Sequence, residues 1–165
     1  MTARVLPRST DEQTKARLTG NNSGNLPSQE DEYLPGRDIA KRAIEVAVEM
    51  RALDPVALYV GPRSSLADYF VIASGTSPRH VQGIADNIRE GLTASGVELI
   101  RSTGYENAEW IILDYGDAVV HVFYEPSRHY YQLDQLWEGA EALRLEGRVA
   151  EEAKKLRTGI IGKTE

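Results

Sequence analysis

The sequence predicts an α+β protein with one mixed β-sheet and flanking helices. Three observations carry this expectation. Segments of helical and strand period follow one another along residues 37–145 in the order α-β-β-α-β-β-β-α. The apolar runs Trp110 to Leu113 and Ala118 to Phe123 flank Asp114-Tyr115-Gly116-Asp117, the composition of a tight antiparallel hairpin. Ser77 and Pro78 open a long amphipathic stretch, as an N-cap and a first-position proline open a helix.

The first helix is expected from Arg37 or Asp38, because Ile39, Ala43, Ile44, Ala47 and Val48 form one helical stripe. Asp38 suits the helix dipole, and Pro55 marks the stop. Val56 to Val60 reads as a strand broken by Gly61-Pro62, and Asp68 to Ser74 as a second, aromatic and β-branched strand. The helix that Ser77 opens runs to about Ser95, with Val81, Ile84, Ala85, Ile88 and Leu92 on one face and Gly96 behind it. A third strand is expected at Val97 to Arg101. After the hairpin, Pro126 ends the strand, and one helix is expected from about Ser127 to Leu145, carrying Tyr130, Tyr131, Leu133, Leu136 and Trp137.

The hairpin yields the most detail. With Tyr115-Gly116 as a two-residue loop, Asp114 pairs with Asp117, Ile112 with Val119 and Trp110 with His121. Side chains alternate along a strand. One face is then aliphatic: Ile111, Leu113, Ala118, Val120 and Val122, which belongs on a core. The other carries Trp110, Ile112, Val119, His121 and Phe123, and suits a half-buried or partner-facing surface.

The boundaries follow. Residues 1–36 read as a disordered tail, for Leu18 to Ser28 is rich in Gly, Asn and Ser. A domain at 37–145 comes next, then a charged extension at 146–165, helical to about Leu156. The chain of 165 residues has room for one core. It has no cysteine, which excludes disulfides, thiolate chemistry and cysteine-type zinc sites. The net charge of −6 makes free nucleic acid a poor partner and a basic protein surface a better one. There is no apolar run long enough for a membrane span, and no secretory leader, so a cytoplasmic protein is expected.

Few residues suggest chemistry. Ser74, Gly75, Thr76 and Ser77 precede a helix and form a candidate phosphate-binding turn, with a plain N-cap as the blander reading. The turn lacks a P-loop lysine. A divergent nucleotidyltransferase or nucleotide-binding enzyme using it is the rival function. That chemistry needs converging carboxylates, and Asp114 and Asp117 would face solvent at a hairpin tip. His80, His121 and His129 have no metal-binding spacing. The expectation is no catalytic residue, no metal and no cofactor. Arg128, close to Tyr130 and Tyr131, has the composition of an interface hot spot.

Taken together, DYFVIASGTSPRHVQGIADNI from Asp68 to Ile88 and AEWIILDYGDAVVHVFYEPSRHYYQLDQLW from Ala108 to Trp137 resemble the Iojap family of ribosomal silencing factors. The resemblance covers about Asp38 to Ala140. It implies a nucleotidyltransferase-like fold without a catalytic centre and a non-enzymatic protein. It also implies docking on the fourteenth protein of the large ribosomal subunit, which blocks subunit joining and represses translation. A homodimer off the ribosome is a further expectation. The residues expected to bind the partner are Trp110, His121, Tyr105, Arg128, Tyr130 and Asp114. Two departures stand out: Leu58-Tyr59-Val60 lacks the Asp that usually follows Leu, and Thr103-Gly104 replaces the usual Glu-Gly.

Overall fold

A computed structural model describes residues 35–158; the tail expected at 1–36 lies, apart from Pro35 and Gly36, outside the described residues. Helix α1 (Gly36–Glu49) leads into β1 (Leu53–Tyr59), a 3-10 turn at Gly61–Arg63, and β2 (Tyr69–Gly75). Helix α2 (Pro78–Ala94), β3 (Arg101–Thr103), β4 (Trp110–Asp114) and β5 (Ala118–Tyr124) follow. Then come α3 (Glu125–Tyr131), α4 (Leu133–Leu136), β6 (Glu141–Ala142) and α5 (Gly147–Lys155). The strands lie in the order β3-β4-β5-β2-β1-β6. Only β2 and β5 pair in parallel among them, so the sheet is mixed, as expected.

The core lies between one face of this sheet and helices α1 and α2. Helix α1 buries Ile39, Ala43, Ile44 and Ala47, and α2 buries Val81, Ile84, Ala85, Ile88 and Leu92. Opposite them sit Ala57, Val71, Ala73, Ile111, Leu113, Val120 and Val122, each no more than 1% exposed. The helical stripes and the aliphatic hairpin face therefore meet where their periods place them. At the usual worth of a buried aliphatic side chain, ~1.5–3 kcal/mol each, this layer is the main source of stability. Ser77 caps α2 by accepting from the His80 N–H at 3.1 Å, with Pro78 in first position.

Five expectations are corrected. The hairpin register is shifted by two: Trp110 pairs with Phe123, Ile112 with His121 and Asp114 with Val119. The turn moves one residue along the chain, onto Gly116-Asp117: Tyr115 N–H bonds to Ala118 O at 2.9 Å, and Asp114 Oδ1 accepts from Gly116 N–H at 2.8 Å. A shift of two residues keeps every side chain on its face. The third strand begins at Arg101, not Val97. Val97 N–H is spent on Leu92 O, closing the end of α2, and pairing toward β4 starts with Ile100 N–H on Asp114 O.

Strand β1 starts at Leu53 rather than Val56. Asp54, at φ 45°, forms a bulge there, and Pro55 is accommodated beside it. The helix expected over 127–145 is two short helices and a strand. Gln132, at φ 52°, ends α3 and starts α4. β6 then pairs with Leu58 and Tyr59 of β1. Finally, packing does not stop at residue 145. Ala153 and Leu156 bury against Val48 of α1, Asp54 N–H bonds to Leu156 O at 2.9 Å, and Asp54 accepts from Thr158 N–H at 2.8 Å.

Candidate functional site

The second face of the sheet is only partly covered. Register places Ile112, Val119, His121, Phe123, Phe70, Ile72 and Ser74 on it together, with Trp110 at the β4 end. Helix α3 lies over β5 and β2, so His121 and Phe123 are buried, while Trp110, Ile112, Val119 and Phe70 stay half-buried. An aromatic row runs outward from this patch. Trp110 stacks on Phe123 with centroids 4.8 Å apart, Tyr131 lies 4.8 Å from Trp110, and Tyr130 lies 5.0 Å from Tyr131. Tyr131 is 47% exposed, Tyr130 79% and Leu136 66%. On the other side Phe70 meets His121 at 4.6 Å and Trp137 at 5.4 Å, and the Arg63 guanidinium covers the Trp137 ring at 5.1 Å.

Trp110 and His121 are neighbours, as the faces predicted, but on the diagonal of the ladder. The indole Nε1–H donates to His121 Nδ1 at 3.0 Å. That bond fixes the neutral tautomer with the proton on Nε2. Burial lowers the His121 pKa to about 4, and Asp134 opposes this only in part. His121 is 5% exposed, so it holds Trp110 in place and does not present itself at the surface.

Arg128 corrects the sequence reading more sharply. Its side chain is 0% exposed. Nε and Nη2 grip Asp134 at 3.1 and 2.9 Å, and Nη1 donates to Ser74 Oγ at 3.0 Å and Leu53 O at 3.3 Å. Four of its five N–H donors are taken by these groups, and the buried side chain does not reach the surface where a partner would meet it. Tyr105, at 36% exposure, is at the surface; its hydroxyl donates to Asp86 at 3.0 Å, which raises its pKa. Asp114 is half-buried and occupied by Gly116 N–H and, at 3.9 Å, by Arg101. Of the six expected partner residues, Trp110 and Tyr130 join one aromatic patch, while His121 and Arg128 lie beneath it.

The turn Ser74 to Ser77 is closed on itself. Ser74 is buried and accepts from Arg128. Thr76 N–H donates to His80 Nδ1 at 2.9 Å, and His80 Nε2 donates to Met50 O at 2.8 Å. A Cβ on Gly75 would lie 2.8 Å from Val81 Cγ2 and 2.9 Å from Val81 N, so the helix packs directly on this turn. The Thr76 and His80 N–H groups, which a phosphate cradle would use, are both taken, and the geometry is that of a cap. Among the described residues no group of three or more His, Asp or Glu side chains is placed to hold a metal ion. Nor is any of their helices long and apolar enough to cross a membrane.

Phe70, Ile112, Val119 and Trp137 complete the face and Asp134 braces it from below, and local sequence pattern marks none of them as a partner-binding residue. The alternation in Phe70-Val71-Ile72-Ala73 was the available signal for Phe70. Asp134 had none, because its role depends on a folded-over elbow.

The fold and this face define a small α+β domain that presents an aromatic surface on the open side of its sheet. The chain belongs to the ribosomal silencing factor family: residues 35–160 match the family described as "Ribosomal silencing factor during starvation". It is 37% identical over 114 residues to the ribosomal silencing factor RsfS of Halalkalibacterium halodurans, covering 69% of this chain and 97% of that protein. A crystal structure of a Chromobacterium violaceum protein superposes with a TM-score of 0.62 at 32% identity, covering 69% of this chain and 92% of that one. The mouse protein named mitochondrial assembly of ribosomal large subunit protein 1 is 30% identical over 105 residues, 59% of this chain and 46% of its own length.

Proposed function

We propose that this protein docks on the large ribosomal subunit, through that subunit's fourteenth protein, and so blocks joining of the small subunit and represses translation in the cytoplasm. The observation that carries this reading is the open aromatic face: Trp110, Phe70, Ile112 and Val119 half-exposed, with Tyr130 and Tyr131 at its rim. A contiguous apolar patch rimmed by polar residues marks an interaction site, and Trp and Tyr are the side chains that dominate interface energetics. Membership of a ribosomal silencing factor family supports the ribosome as the target, and the name of the mouse relative, an assembly protein of the ribosomal large subunit, favours that subunit. The chain's net charge of −6 steers it toward a basic ribosomal protein, which mainly raises the association rate.

The role is read as regulatory, with no reaction at the face and no cofactor. Off the ribosome the same face is open to a second copy of the chain. The test is subunit joining in vitro. Purified protein added to separated subunits is expected to lower the yield of assembled ribosomes on a sucrose gradient and to co-migrate with the large subunit. Unchanged joining at saturating protein would refute the anti-association mechanism.

A further inference from the structure

Arg128 ties together four elements beneath the aromatic face. Its fork on Asp134 spans α3 and α4, and Nη1 reaches β2 through Ser74 and β1 through the Leu53 carbonyl. Between Arg128 and Asp134 the chain turns at Gln132 in the left-handed region, with φ 52°. The two-toothed ion pair closes that elbow. A buried ion pair loses its hydration on folding, and apolar residues of equal size often serve stability as well or better. What the fork adds is geometry: a planar guanidinium held by two carboxylate oxygens has one orientation.

That geometry bears on the surface above. Tyr130 and Tyr131 lie on α3, and Leu136 and Trp137 at the end of α4. Tyr131 packs on Trp110 and Trp137 on Phe70. The elbow angle therefore sets where the exposed aromatic side chains stand over the sheet. We propose that Arg128 and Asp134 are positioning residues for docking. Their fork locks the α3–α4 elbow onto β1 and β2 and pre-organises the aromatic row that meets a protein partner. This rests on the aromatic face being the docking surface. Pre-organisation of this kind strengthens binding by reducing the ordering lost on association.

The test measures affinity for purified large subunits, urea midpoint and near-ultraviolet circular dichroism on the full chain. The variants are Arg128→Met/Asp134→Leu, Arg128→Lys and Tyr130→Ala. The double variant is expected to keep the parental urea midpoint or exceed it, to lose near-ultraviolet aromatic signal, and to bind about tenfold more weakly or worse. Arg128→Lys, which keeps the charge without the fork, is expected to stay folded and to bind more weakly as well. If either folded clamp variant binds like the parent while Tyr130→Ala does not, the positioning role is refuted. If Tyr130→Ala also binds like the parent, the docking-face reading falls and the proposal falls with it.

Discussion

Acid should destabilise this protein through one histidine, by an amount that can be worked out. His121 is neutral in the fold and its pKa is lowered to about 4 from an ordinary 6.5, chiefly by burial. The unfolded chain therefore binds a proton at His121 that the folded chain does not, over the window from pH 6.5 down to 4. Stability is unaffected by this group above pH 6.5, falls as pH drops through the window, and levels off below 4. At roughly 1.4 kcal/mol per pH unit, the full gap of about 2.5 corresponds to ~3 kcal/mol, and by pH 5 about 2 kcal/mol is lost. Carboxylates add their own acid sensitivity, so the measurement is a difference. Urea unfolding, followed by tryptophan fluorescence at pH 7, 6 and 5, is compared between the parent and His121→Asn, whose side-chain oxygen still accepts from Trp110 Nε1–H. The parent should lose ~2 kcal/mol more than the variant between pH 7 and 5. Parallel pH profiles would show that His121 is solvated or already charged in the fold, and the account of its locked tautomer would be wrong.

Tyr130 is 79% exposed, so Tyr130→Ala should change unfolding free energy by less than about 0.5 kcal/mol while weakening large-subunit binding in a pull-down titration. Val120 is fully buried. Val120→Ala should cost ~1–3 kcal/mol of stability, with the folded fraction binding normally. Removal of residues 146–165 strips Ala153 and Leu156 from Val48 and the Thr158 partner from Asp54. The melting temperature should fall by several degrees, at roughly 3–5 °C per kcal/mol lost for a domain between the small and medium size classes. Deletion of residues 1–34, polar and rich in Gly, Asn and Ser around Leu18 to Ser28, should leave it within a few degrees.

What was legible in the sequence was what period and local capping encode. Alternation assigned Ile111, Leu113, Val120 and Val122 to the core and left Trp110, Ile112 and Val119 on the open face. That assignment survived a two-residue error in register because two is the period of a strand. Ser77-Pro78 and the stripe behind it located α2, since a cap needs only residues within one turn. The helix of 127–145 misled because apolar residues continue through it. Its break at Gln132 follows from contacts with β1 and β2, not from a breaker in the chain.

The candidate site divides along the same line. The sequence by itself determined that an aromatic, largely uncharged strand face would exist and that the Ser74 to Ser77 segment would open a helix. Only the tertiary structure decided what lies under that face. Arg128 reads from composition as a surface hot spot, yet beside Asp134 its partners are the Leu53 carbonyl, 75 residues away, and the Ser74 hydroxyl, 54 residues away. The extension after residue 145 reads as a charged helix outside the domain, yet Asp54 accepts from Thr158 across 104 residues. Whether a charged or polar side chain is buried depends on the donors and acceptors that chain closure brings within about 3 Å of it, and no local pattern of residues records that distance.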